Sequence, residues 1–273
     1  MTVDAIRVSP SWLDSREAAD GAARSRELVS TLRGRAPVEG GWVIHDLACG
    51  SGSMGRWLAP LLPGPQRWVL HDRDADLLVT AAVNVPCRAA DAADVAVETR
   101  RSDVTQLRSD DLAGATLVTA SALLDLLTRD ELTRLIDAVA GVGCPVLFAL
   151  TVSGRVRLLP ADPLDAPLAA AFDAHQRRTT SRGRLLGPDA VEAAVEGFRR
   201  LGLEAVVSPS PWCLGDAERE LAVEWLSGWV DAACEQEPRL THEADRYRRR
   251  RLREAAAGAL AVSVGHADLL VLP

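Results

Sequence analysis

The residues most able to do chemistry lie in Asp46-Leu47-Ala48-Cys49-Gly50-Ser51-Gly52-Ser53-Met54-Gly55, where an apolar run ends in an acid and crosses a glycine-rich turn. Glycine accepts positive φ and has no side chain to hold a ligand away, so such a turn suits close approach to an adenosine-type molecule. Gly50-x-Gly52-x-x-Gly55 matches the dinucleotide fingerprint, and Asp72 stands where that fingerprint expects a ribose-binding acid. Asp46 pulls the other way. A carboxylate four residues before Gly50 would repel a pyrophosphate and suits a ligand carrying positive charge. Two further side chains are candidate bases for taking a proton from an oxygen or nitrogen nucleophile. Asp125 follows a buried apolar run, and His175 titrates near neutrality when unperturbed. Asp125 can equally cap a nearby helix, and His175 can be a solvated residue of an arginine-rich stretch.

Asp46-Leu47-Ala48-Cys49-Gly50-Ser51-Gly52 resembles the first motif of the class I S-adenosylmethionine-dependent methyltransferases, acid-x-Gly-x-Gly-x-Gly, with Ala48 in place of the first glycine. The resemblance implies S-adenosylmethionine as cofactor, S-adenosylhomocysteine as product and no metal. It places Asp46, Ala48, Gly50 and Gly52 around the cofactor, Asp72 on the ribose hydroxyls and Arg73 against the adenine. Arg101-Ser102-Asp103-Val104 resembles the third motif, which implies Asp103 on the adenine amino group and Val104 beside the ring. Ser121 ends the fourth-motif region, where the transferred methyl emerges. No Asn/Asp-Pro-Pro-Tyr/Phe and no Pro-Cys occurs there, which disfavours the amino-group and cysteine-nucleophile branches of the family. Trp12 and Arg16, on an N-terminal helix, and Arg178 and Trp212, in later segments, are candidate substrate contacts. The resemblance spans Gly41 to Leu150 by motif, and from Gly187 onward only by strand order.

The elements that must position these residues follow from apolar periodicity. Apolar positions between 10 and 33 predict a helix. Strands are expected at 43–47, 67–72, 95–98, 115–121, 145–151, 203–208 and 266–272, with helices after most of them. Thr128 with Glu131 makes a capping box for the helix that runs to about Val139. Strands each followed by a helix predict an α/β fold with a doubly wound, mostly parallel sheet. The resemblance implies seven strands with the last antiparallel, flanked by helices. The expected organisation is an N-terminal helical cap over residues 1–40 and a Rossmann-like domain over 41–273, with helical insertions at about 154–188 and 210–264. Within the second insertion, Leu221, Trp225, Leu226, Trp229 and Val230 form an apolar stripe. It is core, a wall of the substrate pocket, or a contact that would make a homodimer through the 216–235 helix.

Composition narrows the partners. A net charge of −7 argues against a general nucleic-acid binder, and five scattered cysteines without a CxxC pair indicate neither a zinc site nor a disulfide framework. No apolar run is long enough to span a bilayer and no signal-peptide pattern opens the chain, so a cytoplasmic location is expected. The favoured reading is methyl transfer to a small-molecule metabolite, in a setting such as bacterial secondary metabolism. Two alternatives stand beside it. An RNA or protein methyltransferase would dock through the arginine-dense helix Arg246–Arg253, although its neighbouring acids favour a solvated, partly paired face. An NAD(P)-dependent oxidoreductase would use the glycine loop.

Overall fold

The computed structural model describes residues 9–37 and 40–273, so the first eight positions of the expected cap lie outside the described residues, as do 38 and 39. The chain opens with α1 (Pro10–Ala23) and α2 (Arg26–Arg33) rather than one continuous helix. Ser9 Oγ caps α1 by accepting the Trp12 N–H, and the break comes where Arg24 leaves helical backbone and Ser25 Oγ starts α2 by accepting the Leu28 N–H. The corner is fixed from outside, because the Ser25 N–H donates to the buried Asp268 carboxylate at 2.7 Å.

The core then alternates as the apolar periodicity predicts. It runs β1 (Trp42–Leu47), α3 (Ser53–Leu58), β2 (Gln66–Asp72), α4 (Ala75–Asn84), β3 (Val95–Arg101), β4 (Leu117–Ser121), α5 (Arg129–Ala140) and β5 (Val146–Leu159). There follow α6 (Asp165–Gln176), the small hairpin β6 (Thr179–Thr180) and β7 (Gly183–Arg184), α7 (Ala190–Arg200) and β8 (Ala205–Pro209). The chain closes with β9 (Trp212–Leu214), α8 (Arg219–Gln236), α9 (Thr241–Ala256) and β10 (Ala261–Val271). The Thr128–Glu131 capping box forms at the head of α5.

The strand order is β3-β2-β1-β4-β5-β10-β8, with β9 also pairing β10. Neighbours from β3 to β5 run parallel, and β10 is antiparallel to β5, β8 and β9. This is the expected doubly wound sheet with an antiparallel last strand, extended by the short β9. The order reverses between β1 and β4, and that switch point opens a crevice over the strands' C-terminal ends.

The expected insertion boundaries need correction. Residues 154–159, 212–214 and 261–264 belong to the sheet, because β5 and β10 continue as a long antiparallel pair that β9 joins. Leu158, Val262 and Val264 alternate inward along that extension and bury against α6 and α8. The α8 stripe is committed there too: Leu221, Trp225, Leu226, Trp229 and Val230 lie in this core, and the Trp225 and Trp229 rings stack at 5.3 Å. A homodimer would therefore need a surface other than that stripe.

The arginine-dense α9 is solvated and partly paired, as expected, except at one position. Arg251 is fully buried, donating to Asp165 at 2.6 Å, to the Pro160 carbonyl at 2.6 Å and to Glu254 at 2.8 Å. Arg248 pairs with Asp231 and Arg250 with Asp162. Arg246, Arg249 and Arg253 remain exposed. The helix is amphipathic in an unusual sense, with a cation among its inward residues because two acids and a carbonyl meet it there.

Three residues with side chains hold left-handed backbone at the crevice: Ala48 (φ 51°), Ala122 (φ 52°) and Leu150 (φ 56°). Such conformations cost an L-residue on the order of 1 kcal/mol and cluster where function demands them. Ala48 stands at the position that the first motif gives to glycine. Ala48→Gly is expected to raise stability by about 0.5–1 kcal/mol, read by chemical denaturation at constant m-value. A loss of stability would show that the loop tolerates Ala48 without strain.

Candidate active site

The crevice is a cavity of about 460 Å³, lined from every element near the switch point. The β1 end supplies Asp46, Ala48 and Gly50, the β2 end supplies Asp72 and Arg73, and the turn after β3 supplies Asp103 and Val104. Ser121 and Asp125 come from the β4 end, Trp12 and Arg16 from α1, and Trp212 from β9. The fold thus brings together most of the residues singled out from sequence.

Three of them are placed elsewhere. Gly52 does not line the cavity; with φ 88° it lets the loop close on α4, where an added Cβ would meet Ala81 at 3.1 Å. His175 points away from the cavity, with Nε2 3.4 Å from Glu235 of α8. Arg178 also lies outside and donates to the His175 carbonyl. Both miss for one reason: α6 presents Phe172 and Gln176 to the cavity, and His175, one position before Gln176, points round the helix while Arg178, two positions after it, lies past the helix end.

Asp46 is 1% exposed. Its Oδ1 accepts the Thr119 hydroxyl at 2.8 Å, and its Oδ2 has no partner among the described residues. Burial pushes its pKa up to about 7, against the hydrogen bond from Thr119 and the nearby Arg24 charge. Arg24, which sequence reasoning missed, is the C-cap of α1 and is 3% exposed. It donates to the Ser53 and Ser121 hydroxyls at 3.1 and 3.0 Å, and its Nε is unpartnered among the described residues. No local pattern marks this arginine, because its partners are 29 and 97 residues away.

Asp72 organises the loop that it faces. Oδ2 accepts the Gly50 N–H and Oδ1 the Asp74 N–H, each at 2.9 Å, which leaves further lone pairs turned toward the cavity. Asp103 is exposed, and its Oδ1 caps the following turn by accepting from the Thr105 backbone and hydroxyl. Two other acids before β3 lie outside the lining residues: Asp91 holds the Gly64 N–H, and Asp94 pairs with Arg88.

Asp125 sits across the crevice on the turn after β4. Its Oδ1 is buried and unpartnered among the described residues, and desolvation pushes its pKa up to about 6, against the Arg16 charge. The cavity is also lined by Trp225 of the α8 stripe and by residues that sequence reasoning missed: Asp20, Gln176, Arg182 and His266. Asp20 ties two elements together, accepting from Arg16 Nε and from Trp212 Nε1, both at 2.9 Å. Trp212 is enclosed by Trp12, His266 and the Arg16 guanidinium, so it shapes the wall more than it offers a free face.

Among the described residues, no group of three or more His, Cys, Asp or Glu side chains stands where it could hold a metal, and no helix is long and apolar enough to cross a membrane.

No family model and no curated protein matches this chain. Among solved structures it is similar to a cyclopropane synthase of Mycobacterium tuberculosis, at 10% identity and a TM-score of 0.49, over 90% of this chain and 82% of that one. It is similar to an S-adenosylmethionine-dependent methyltransferase of Thiobacillus denitrificans in complex with S-adenosylhomocysteine, at 15% identity and a TM-score of 0.47, over 98% and 99%. A methyltransferase of Geobacter sulfurreducens in the same type of complex gives 15% and 0.46, over 98% and 100%. Likeness at this level concerns the fold. The strand order and its antiparallel β10 define a doubly wound, Rossmann-like α/β fold.

Proposed function

We propose that this protein is an S-adenosylmethionine-dependent methyltransferase acting on a small molecule. The observation that carries the proposal is the pair of buried, unpartnered atoms at the β1 end, an acceptor on Asp46 and a donor on Arg24. An amino-acid group brings the complementary pair, an ammonium for Asp46 Oδ2 and a carboxylate for Arg24 Nε, and an unmade buried hydrogen bond is costly. A pyrophosphate would satisfy Arg24 and leave Asp46 both unpartnered and repelled.

The residues fit the group. Asp46 and Arg24 would hold its amino-acid end, Asp72 the ribose, and Arg73, Asp103 and Val104 the adenine. When bound, the sulfonium supplies an electrophilic methyl group. The chain's own work is then to orient the acceptor, exclude water and receive one proton. Asp125 is the proposed proton acceptor: it lines the cavity from the turn after β4, and its Oδ1 is buried without a partner among the described residues. The exposed arginines of α9 do not face the cavity, and three others are paired with acids, which argues against docking a polyanion there.

Calorimetric titration with S-adenosylhomocysteine, S-adenosylmethionine and NADH tests this reading. Binding of the first two without NADH is the expected result, and NADH binding alone overturns it. Asp72→Ala is expected to weaken S-adenosylhomocysteine at least about tenfold, since it removes a ribose acceptor and two loop hydrogen bonds. Wild-type affinity in that variant would remove the ribose assignment.

A further inference from the structure

The crevice has two chemically distinct ends. Over β1, β2 and β3 lie the residues assigned above to the cofactor. Over β4, β5 and β10 lies a second end that the cofactor groups leave free. Its walls are Trp12, Leu126, Phe172, Trp225 and Val264. Three further polar atoms there are buried and unpartnered among the described residues: Asp125 Oδ1, Gln176 Oε1 and His266 Nδ1. They come from three separate elements, the turn after β4, the end of α6 and the middle of β10, so only the folded crevice assembles them.

The two arginines at this end are already matched. Arg16 gives its Nε and Nη2 to Asp20, at 2.9 and 3.1 Å. Arg182 gives Nη1 to Glu131 at 2.9 Å and Nη2 to the Leu126 carbonyl at 3.2 Å. Asp125 has no such partner and accepts only. An anion entering here would meet that carboxylate, and two guanidinium groups each held by an acid. A ligand with an O–H or N–H donor would fill the vacant acceptor sites and lay an apolar body against the aromatic wall.

Resting on the methyltransferase reading, we infer that the methyl acceptor is a non-anionic compound with a flat apolar body, bearing a hydroxyl or amine that Asp125, Gln176 and His266 receive. The chemical consequence balances: the acceptor's lone pair forms the new bond to the methyl carbon, the bond from that carbon to sulfur breaks with its electron pair left on sulfur, and the acceptor's proton passes to Asp125. Burial also holds the His266 imidazole down to about 4, so it is neutral near pH 7 and has one nitrogen able to accept.

The test is calorimetry of three probes that share a phenol ring: tyramine (cationic), 4-ethylphenol (neutral) and 4-hydroxyphenylacetate (anionic). Each is titrated into the wild-type protein with and without saturating S-adenosylhomocysteine. At least one of the first two should bind about tenfold or more tighter than the carboxylate, and Asp125→Asn should remove most of that preference while S-adenosylhomocysteine binds as before. Tighter binding of the carboxylate, or no binding of any probe to a protein that does bind S-adenosylhomocysteine, overturns the inference. Should S-adenosylhomocysteine itself fail to bind, the cofactor reading and the role of methyl acceptor fall together, and the same probe ranking on the free protein still decides whether this end takes a non-anionic ligand.

Discussion

Asp125→Asn is expected to lower turnover by about 10²–10⁴-fold and to leave S-adenosylhomocysteine affinity essentially unchanged, the range for removal of the proposed proton acceptor. The amide keeps the shape of the carboxylate and can still accept a hydrogen bond, so a purely packing role would survive the change. The pH dependence separates the two roles further. Asp125 must be ionised to take a proton, and burial raises its pKa to about 6. In the wild type, kcat/KM should therefore rise with pH through about 6 and then level, a limb the asparagine variant should lack. The stability linkage has the opposite sign. A carboxyl whose folded pKa is raised binds its proton more tightly in the folded state, so its contribution weakens as pH climbs from the ordinary carboxylate range to about 6. Asp125→Asn should thus be relatively more stable than wild type above that window. Turnover near the wild-type level with an intact acid limb would remove Asp125 from the chemistry.

Asp46→Asn is expected to weaken S-adenosylhomocysteine by about 10–100-fold, because the ammonium would lose its proposed charged acceptor inside a buried site. The free protein should respond in the other direction. Asparagine keeps an oxygen for the Thr119 hydroxyl and carries no charge that burial must penalise. Asp46 titrates at about 7 in the folded chain, so wild-type stability falls as pH rises from the ordinary carboxylate range to about 7. Without ligand, the variant should melt higher than wild type at pH 8 and show little difference at pH 5. The combination is diagnostic: a residue that destabilises the empty protein while strengthening ligand binding is held there for the ligand. Should the variant bind S-adenosylhomocysteine as wild type does, the acceptor assigned to the ammonium is wrong. Should it instead melt lower at pH 8, the carboxylate is satisfied by Arg24 rather than waiting for a ligand.

What the sequence by itself determined was local in origin. The glycine-rich turn, the acids at strand ends, the capping box at Thr128 and the alternation of apolar runs are all set by residues a few positions apart, whose backbone preferences and periodicity act over that range. From them the doubly wound sheet and the Asp46–Asp72 end of the crevice could be read. What only the tertiary structure decided depends on contacts between distant residues. Arg24 reaches the site because Ser53 and Ser121 meet at the switch point, and Asp20 joins α1 to β9 through Trp212. The end of the crevice that faces the acceptor is composed of α1, α6, β9 and β10, whose mutual placement no short segment encodes. His175 shows the limit clearly. Its residue type was attractive, yet a helix turns about 100° per residue, so the rotation of α6 gave the crevice to Gln176 and turned His175 toward Glu235. Residue type proposes chemistry, and the packing angle of the element that carries it decides which side chain can perform it.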